Sequence, residues 1–311
     1  MLVCIVGPTA SGKTALSIAL AKAIGGEILS ADSVQLYRNF DIGSAKPSKT
    51  EMQGVPHHLM DCIDATEGTF SVGRYQELAM DALRDIQARR HRPILCGGSG
   101  LYVDALIRPL NFALPSNPAV REQLCVLYPQ SEPQAAYDAL KRIDPQTAAR
   151  LHPNDRKRVI RALEVYEISR KPLSSYGNGF REGSGNALVQ DALVFRLTMD
   201  RALLYRRIEH RVDEMIRSGL VEEVKRLRAL GYGRELIPMQ ALGYQQVNAF
   251  LDGACTLDEA VARIKLETRH FAKRQISWFK RYENAIDLHI DENTTPGDLL
   301  PRMQEAILKY Q

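Results

Sequence analysis

The sequence predicts an α/β fold: a parallel sheet flanked by helices, into which an all-helical subdomain is inserted. Three observations predict it. A continuous apolar run, LVCIV at 2–6, leads straight into GPTASGKT at 7–14 and then into a helical pattern. Strand-like and helix-like runs alternate through the first third of the chain. A helical stretch then lies between a proline-rich break and a Gly/Ser-rich break, with α/β character on both sides.

Apolar at every position, residues 2–6 read as a strand buried on both faces. The turn that follows, Gly7-Pro8-Thr9-Ala10-Ser11-Gly12-Lys13-Thr14, is a complete G-x-x-x-x-G-K-[ST] loop, so the core is of the P-loop type. Apolar residues recur at helical spacing over 13–24, with Gly25-Gly26 as the stop. A second strand is predicted over 27–31 (EILSA), with Asp32 just past it. A helix across 72–90 precedes a strand at 92–96 (RPILC), which runs into Gly97-Gly98-Ser99-Gly100. In parallel sheets ligands bind beyond the carboxyl ends of the strands, so the stretches beginning at Gly7, Asp32 and Gly97 are expected to lie together.

Three prolines interrupt regular structure at 108–118 (RPLNFALPSNP), and residues 118–170 look wholly helical. Asn117-Pro118 and Asp144-Pro145 each place a capping residue before a proline at the first helical position. The Gly/Ser-rich stretch 171–188 reads as a loop or hinge. A strand-like run returns at 189–198, followed by Asp200 as a helix cap and long helices to about 283. The division that follows is a catalytic core of 1–112 with 188–311 and a helical insertion of 113–187.

At 311 residues and 45% hydrophobic, the chain can bury one large core or two smaller ones. No apolar run approaches the roughly 20 residues a membrane helix needs, and the loop motif follows too soon on 2–6 for a secretory signal. Cys4, Cys62, Cys96, Cys125 and Cys255 have no metal-ligand spacing and read as buried thiols in a reducing cytoplasm. A net charge of +4 does not by itself argue for nucleic acid, so the distribution of charge matters more. No heptad or long apolar edge calls for a dimer, and a monomer is expected.

The phosphate loop carries the clearest chemistry. Its N–H groups and the helix N-terminus form an anion site, Lys13 adds a point charge, and Thr14 is placed to ligate Mg²⁺. Asp32, at the same sheet edge, is either a turn cap or a carboxylate that positions Mg²⁺ or takes a proton from a nucleophile. Ser99 brings a hydroxyl to that edge in what could equally be an ordinary tight turn. Arg207 and Arg211, one helical turn apart, make a candidate diphosphate clamp or a plain surface pair. Two basic stretches stand apart. One opens a helix with Arg156, Lys157, Arg158 and Arg161. The other, at 256–282, spaces Lys265, Arg269, Lys273 and Arg281 by multiples of four beside Trp278, Phe279 and Tyr282. Cations interleaved with aromatics suit single-stranded nucleic acid, although a solvated helix face gives the same pattern. The paired His57-His58 reads as structural.

Taken together, GPTASGKT (7–14), SADSVQLYRNFDIGSAKP (30–47), PILCGGSGLY (93–102), HPNDRKRVIRALE (152–164), MQALGYQQ (239–246) and AKRQISWFKR (272–281) resemble the tRNA dimethylallyltransferases, or isopentenyltransferases. The segments occur in the family's order over nearly the whole chain, and a bacterial-type member is expected because no zinc-finger extension follows. The resemblance implies that the loop holds the diphosphate of dimethylallyl diphosphate, not ATP. It implies transfer of the five-carbon allyl group to N6 of the adenosine 3′ to the anticodon of tRNA. Asp32 matches the family's base, with Lys13, Ser99 and Arg207 as further catalytic candidates and Mg²⁺ on Thr14. For tRNA it implies Asp32, Ser33, Val34 and Gln35; Lys157, Arg158 and Arg161 on the insertion; Gln240, Gly243 and Tyr244; and Lys273, Arg274, Gln275 and Trp278. Ser99 stands where the family often has threonine; the hydroxyl is kept and the stiffer β-branched side chain is lost. Two other readings share the loop: a nucleotide or small-molecule kinase, and an RNA-binding protein with a nucleotide-gated clamp. The basic stretches disfavour the first, and the Asp32 segment disfavours the second.

Overall fold

The structure, a computed structural model, describes residues 1–67, 70–108, 117–176 and 191–310. The chain divides into two compact units, residues 1–107 with 189–311, and residues 108–188.

The larger unit is built on one all-parallel sheet. Its strands are β1 (Leu2–Val6), β2 (Gly26–Ala31), β3 (His57–His58), β4 (Arg92–Gly97), β5 (Ala192–Met199) and β6 (Ile286–Ile290), in the order β3-β2-β4-β1-β5-β6. The central strand β1 is buried at all five positions, the burial that its unbroken apolar run demands. It pairs with β4 from Val3↔Ile94 to Val6↔Gly97 and with β5 from Leu2↔Ala192 to Val6↔Arg196. Around these strands lie α1 (Lys13–Ile24), α2 (Lys49–Met52), α3 (Val72–Ala88) and α4 (Gly100–Ile107).

The smaller unit contains α5 (Pro118–Leu127), α6 (Pro133–Ile143), α7 (Pro145–Ala148) and α8 (Arg156–Ser169). The larger unit resumes with α9 (Arg201–Arg217), α10 (Leu220–Ala229), α11 (Tyr244–Leu251), α12 (Leu257–Phe279) and α13 (Pro296–Lys309).

Helix α1 begins after Gly12, whose left-handed φ of 90° lets the loop turn into the helix, and it ends at Gly25 (φ 63°), whose N–H donates to Ala21 O. No acidic side chain stands in its first turn and no side chain caps it, so its N-terminal N–H groups are left for a ligand. Leu16 and Leu20 of α1 pack with Val3, Ile28, Ile94, Phe195, Leu288, Met303 and Ile307 in one apolar core. Glu27 is buried at the start of β2, where Arg89 pairs with it and His58 Nε2 lies 2.7 Å from Oε2. The Arg89 hydrogen bonds hold that carboxyl down at about 2 against the opposing effect of burial.

In the smaller unit, Leu124, Ala139, Leu140, Val159, Ile160 and Leu163 share a core. Asn117 Oδ1 accepts from the N–H groups of Ala119 and Val120 to cap α5, and Asp144 accepts from Thr147 N–H to cap α7. Glu164 is fully buried and accepts from Arg121 (2.7 Å) and from Asn117 N–H (2.6 Å), with Arg161 3.0 Å away. Burial pushes its carboxyl up, and these donors more than offset that, so it stays ionised.

Several expectations need correction. Short β3, strand β6 and helix α13 were absent from the sequence reading, which ended its elements near 283. Asp200 sits at the α9 N-cap position but its side chain makes no capping hydrogen bond. Of the five cysteines Cys4 is buried, Cys62, Cys96 and Cys255 are half-buried, and Cys125 is exposed. Cys125 lies on the exposed face of α5, away from Val120 and Leu124, which pack on the core of the smaller unit. The helical run expected over 118–170 is four helices with breaks. Residues 171–176 hold a 3₁₀ turn, Leu173–Tyr176; the rest of the expected hinge, and 109–116 of the proline-rich break, lie outside the described residues. No helix among the described residues is long and apolar enough to cross a membrane.

Candidate active site

Because β2, β4 and β1 are neighbours, their carboxyl ends deliver the Asp32 turn, the Gly97-Gly98 turn and the phosphate loop to one edge. These three stretches line a single cleft, together with Arg211 of α9 and Phe271 and Gln275 of α12.

Lys13 reaches back over the loop, its Nζ donating to Pro8 O at 2.6 Å. Ala10 (φ 61°) and Gly12 share left-handed backbone, which curls the loop around its own centre. Within it the Ser11 hydroxyl is buried with no hydrogen-bond partner. Burial drives the Lys13 ammonium from its ordinary 10.5 down to about 8, with Arg211 acting in the same direction and Cys96 and Asp32 against it. Burial lowers Arg211 as well, while Asp32 raises it. Two crowded cations beside a buried, unpartnered hydroxyl give this loop the electrostatics of an anion seat.

Asp32 caps its own turn and also stands in the cleft lining. Its Oδ1 accepts from the N–H groups of Val34 (2.9 Å) and Gln35 (3.3 Å), so it caps its own turn. Its carboxylate also lines the cleft, and among the described residues no hydrogen bond is directed at Oδ2. Ser99 supports this turn: its Oγ accepts from Ser33 N–H at 3.2 Å, while its own N–H donates to Ala31 O. Ser99 is not among the residues that line the cleft, unlike Gly97 and Gly98. Gln35 is held by Ser30 Oγ and by the carbonyls of Ser44 and Ala45, tying the turn to the next loop.

The arginine pair divides. Arg211 faces the cleft, whereas Arg207, one turn earlier, donates to Asp291 O and does not line it. The helical spacing that marked the pair left open which of the two points inward.

The residues expected to meet RNA also separate by environment. Ser33, Lys157, Arg158, Gln240, Lys273 and Arg274 are exposed, and Val34 and Arg161 are half-buried. Gly243 and Tyr244 are buried: the Tyr244 ring packs against Gly43 and its OH donates to Glu223 at 2.7 Å. Gln275 is 6% exposed. The half-buried Trp278 donates to Asp104 Oδ2 at 3.1 Å. Gly243, Tyr244 and Gln275 are thus buried and Trp278 half-buried in the larger unit, with Gln275 also in the cleft lining. Three of the four cations in the stripe that runs along α12 and just past its end are paired within that unit, Lys265 with Asp213, Arg269 with Glu209 and Arg281 with Asp104, while Lys273 is exposed. A sequence pattern fixes the face of a helix and leaves unknown what acid the neighbouring helix brings to it.

Glu223 was missed. This buried carboxylate of α10 accepts from the N–H groups of Ile42 (2.8 Å), Gly43 (3.2 Å) and Asp41 (3.3 Å), clamping the loop that carries Ser44 to the cleft. In the sequence it is one acid of a Glu-Glu pair at a helix start, with nothing to mark it.

Residues 35–282 match the family model described as IPP transferase. A tRNA dimethylallyltransferase of Desulforudis audaxviator (strain MP104C) is 47% identical over 291 residues, covering 94% of this chain and 92% of that protein. One from Geobacillus thermodenitrificans (strain NG80-2) is 44% identical over 310 residues, covering 99% and 95%. Among solved structures, the full-length tRNA isopentenylpyrophosphate transferase of Bacillus halodurans has a TM-score of 0.71 at 38% identity, covering 99% of this chain and 97% of that one. A eukaryotic dimethylallyltransferase described as acting on tRNA has a TM-score of 0.83 at 27% identity, covering 99% and 79%.

The Lys13 shift has a measurable sign. Below pH about 8 the free protein carries Lys13 charged, and above it the charge is lost well before an ordinary lysine would lose it. The affinity for an alkyl diphosphate, by calorimetry, is expected to fall about tenfold per pH unit above about 8, the slope for one linked proton. Lys13→Met should abolish that slope. The empty protein should gain stability over the same rise, since the buried charge is being relieved.

Proposed function

The chain belongs to the IPP transferase family, the tRNA dimethylallyltransferases, and from that premise we propose that it transfers a dimethylallyl group from dimethylallyl diphosphate to N6 of the adenosine 3′-adjacent to the anticodon in tRNA. The observation that carries the proposal is that Asp32, Lys13 and Arg211 line one cleft. A base and an anion seat must share a site if a proton acceptor and a departing diphosphate are to serve one reaction.

The exocyclic amine of adenine is a poor nucleophile, because its lone pair is delocalised into the ring. Asp32 meets that need: with Oδ1 pinned by two N–H groups, Oδ2 is free to orient the amine and accept its proton. As the bond from N6 to the allylic carbon forms, the bond from that carbon to the diphosphate oxygen breaks, and its electron pair leaves with the diphosphate. Lys13, Arg211 and the N–H groups at the start of α1 stabilise the departing charge. Arg207 has no place in this assignment, and Ser99 acts through Ser33 as a positioning residue. The target base leaves its stack to enter the cleft, and closure of the site around both substrates keeps water from the allylic cation.

The cleft also suits Mg²⁺. Its lining offers the hard oxygen of Thr14 beside the seat of an anionic ligand, and Mg²⁺ takes most of its ligands from phosphate and water. Thr14, whose hydroxyl stands in the cleft lining at the start of α1, is the residue that would hold it. When bound, Mg²⁺ neutralises charge on the diphosphate.

For the RNA we assign exposed Lys157 and Arg158 of α8 to phosphates of the anticodon stem-loop, and Ser33, Gln240, Lys273 and Arg274 to contacts on the larger unit. Every residue in this assignment comes from one chain, so a monomer suffices, and the cytoplasm, where tRNA is available, is its place of action.

Allyl-labelled dimethylallyl diphosphate with Mg²⁺ and unmodified bacterial tRNA, run beside γ-labelled ATP, tests the reading. Label is expected to enter tRNA from the allyl donor alone. Asp32→Asn keeps an oxygen for the Val34 and Gln35 N–H groups and removes the base. It should cut transfer about 10²- to 10⁴-fold while donor affinity holds. Asp32-dependent use of ATP with no transfer to tRNA would mean a kinase. Replacing both Lys157 and Arg158 with alanine should weaken tRNA binding and flatten its salt dependence by about one unit of slope for each lost phosphate contact, in binding titrations across ionic strength. An unchanged slope would remove both residues from the RNA surface.

A further inference from the structure

We propose that Gln275 is a positioning residue that sets the distance between the phosphate loop and the Gly97-Gly98 turn, and thereby between the leaving diphosphate and the Asp32 carboxylate. This inference rests on the transferase reading of the cleft. The Gln275 Oε1 accepts from Thr9 N–H at 2.8 Å, and its Nε2 donates to Gly98 O at 3.0 Å. One side-chain amide thus joins the two turns that leave the carboxyl ends of β1 and β4.

The place it occupies explains why an amide is needed. Strands β1 and β4 pair as far as Val6↔Gly97, and beyond that their chains separate to become the phosphate loop and the glycine turn. Past the end of the ladder, one turn presents an N–H and the other a C=O, with no backbone partner opposite. The Gln275 amide supplies the missing acceptor and donor in one planar group, as another peptide unit would. A carboxylate of the same length could accept from Thr9 but not donate to Gly98. Asparagine is one methylene too short to span both.

Two further features show that the amide is held in place. At Gly98 a Cβ would lie 2.2 Å from the Gln275 Nε2, so only glycine admits the side chain this closely. One turn along α12, Trp278 packs on Gly100, where a Cβ would lie 2.2 Å from its Cδ1. Trp278 and Arg281 both donate to the buried Asp104 of α4, and the Arg281 guanidinium stacks 4.1 Å over the Trp278 ring. Helix α12 is thereby fixed to the helix that begins at the glycine turn, and it carries Gln275 to the loop at a set height. Thr9 N–H is consumed by this bridge, which leaves the later loop amides for the phosphate.

Gln275→Ala, Gln275→Glu and Gln275→Asn test the proposal in the full-length protein. For Gln275→Ala we expect unchanged affinity for a poorly reactive thio analogue of the donor, an unchanged KM for tRNA and a Tm lowered by no more than the few degrees that two unpaired backbone groups cost, with the protein still folded at the assay temperature. The single-turnover transfer rate should fall about 10²-fold, the scale of an ångström-sized misplacement. Gln275→Glu and Gln275→Asn should not restore it. A raised KM for tRNA with an unchanged rate would make Gln275 an RNA contact and overturn the proposal. A rate loss that merely follows a drop in Tm would overturn it as well. Amide hydrogen exchange at Thr9 is independent of turnover: it should accelerate in Gln275→Ala, and unchanged exchange contradicts the bridge. Wild-type protein that transfers nothing, with Thr9 exchange still Gln275-dependent, would retain the bridge and reject the transferase reading.

Discussion

A lysine and an arginine compressed into one cleft with a single carboxylate set the terms for the rest of this protein. Lys13 and Arg211 are each costly to keep charged where they are, and Asp32 does not balance both. An anion between them removes the cost, and a diphosphate is the anion that a phosphate loop at a helix N-terminus is shaped to take. The sheet order makes this crowding possible. With β2, β4 and β1 adjacent, three polar turns must emerge at one edge, and α9 and α12 close over them with Arg211 and Gln275.

The core architecture was legible because it rests on periodicity and on loop chemistry. LVCIV could only be a strand buried on both faces, and GPTASGKT needed a strand before it and a helix after it. The two short capping signals in the helical unit were equally local: Asn117 and Asp144 act as their side chains dictate. What could not be read depended on partners distant in sequence. β3 is two residues long, and it exists because β2 offers it an edge. The IDLHI run became a strand by pairing with β5, and α13 is placed by its packing on α1.

The same division runs through the site. Asp32, Lys13 and Gly98 announced themselves through motifs at the carboxyl ends of strands. Arg207 and Arg211 were equivalent until α9 had a direction, and the structure turns Arg211 inward. Tyr244 and Gln275 sit in polar, sequence-specific segments that look like surface, yet each is buried by a glycine that leaves room for it, Gly43 for Tyr244 and Gly98 for Gln275. Two of the α12 cations, Lys265 and Arg269, were paired with acids on α9 that no pattern within α12 could reveal. Ser99 and Glu223 matter through the loops they hold, a kind of role that shows only when the backbone N–H groups they accept from are in view.

The central claim is that this cleft seats the diphosphate, with Lys13 and Arg211 on the charge and Asp32 on the opposite reactant. A crystal structure with a poorly reactive thio analogue of dimethylallyl diphosphate tests it most directly. The account predicts that the Lys13 Nζ leaves the Pro8 carbonyl, and that it and Arg211 both lie within hydrogen-bond distance of the diphosphate, with the allyl carbon turned toward Asp32. An analogue bound elsewhere, with Lys13 still on Pro8, would contradict it.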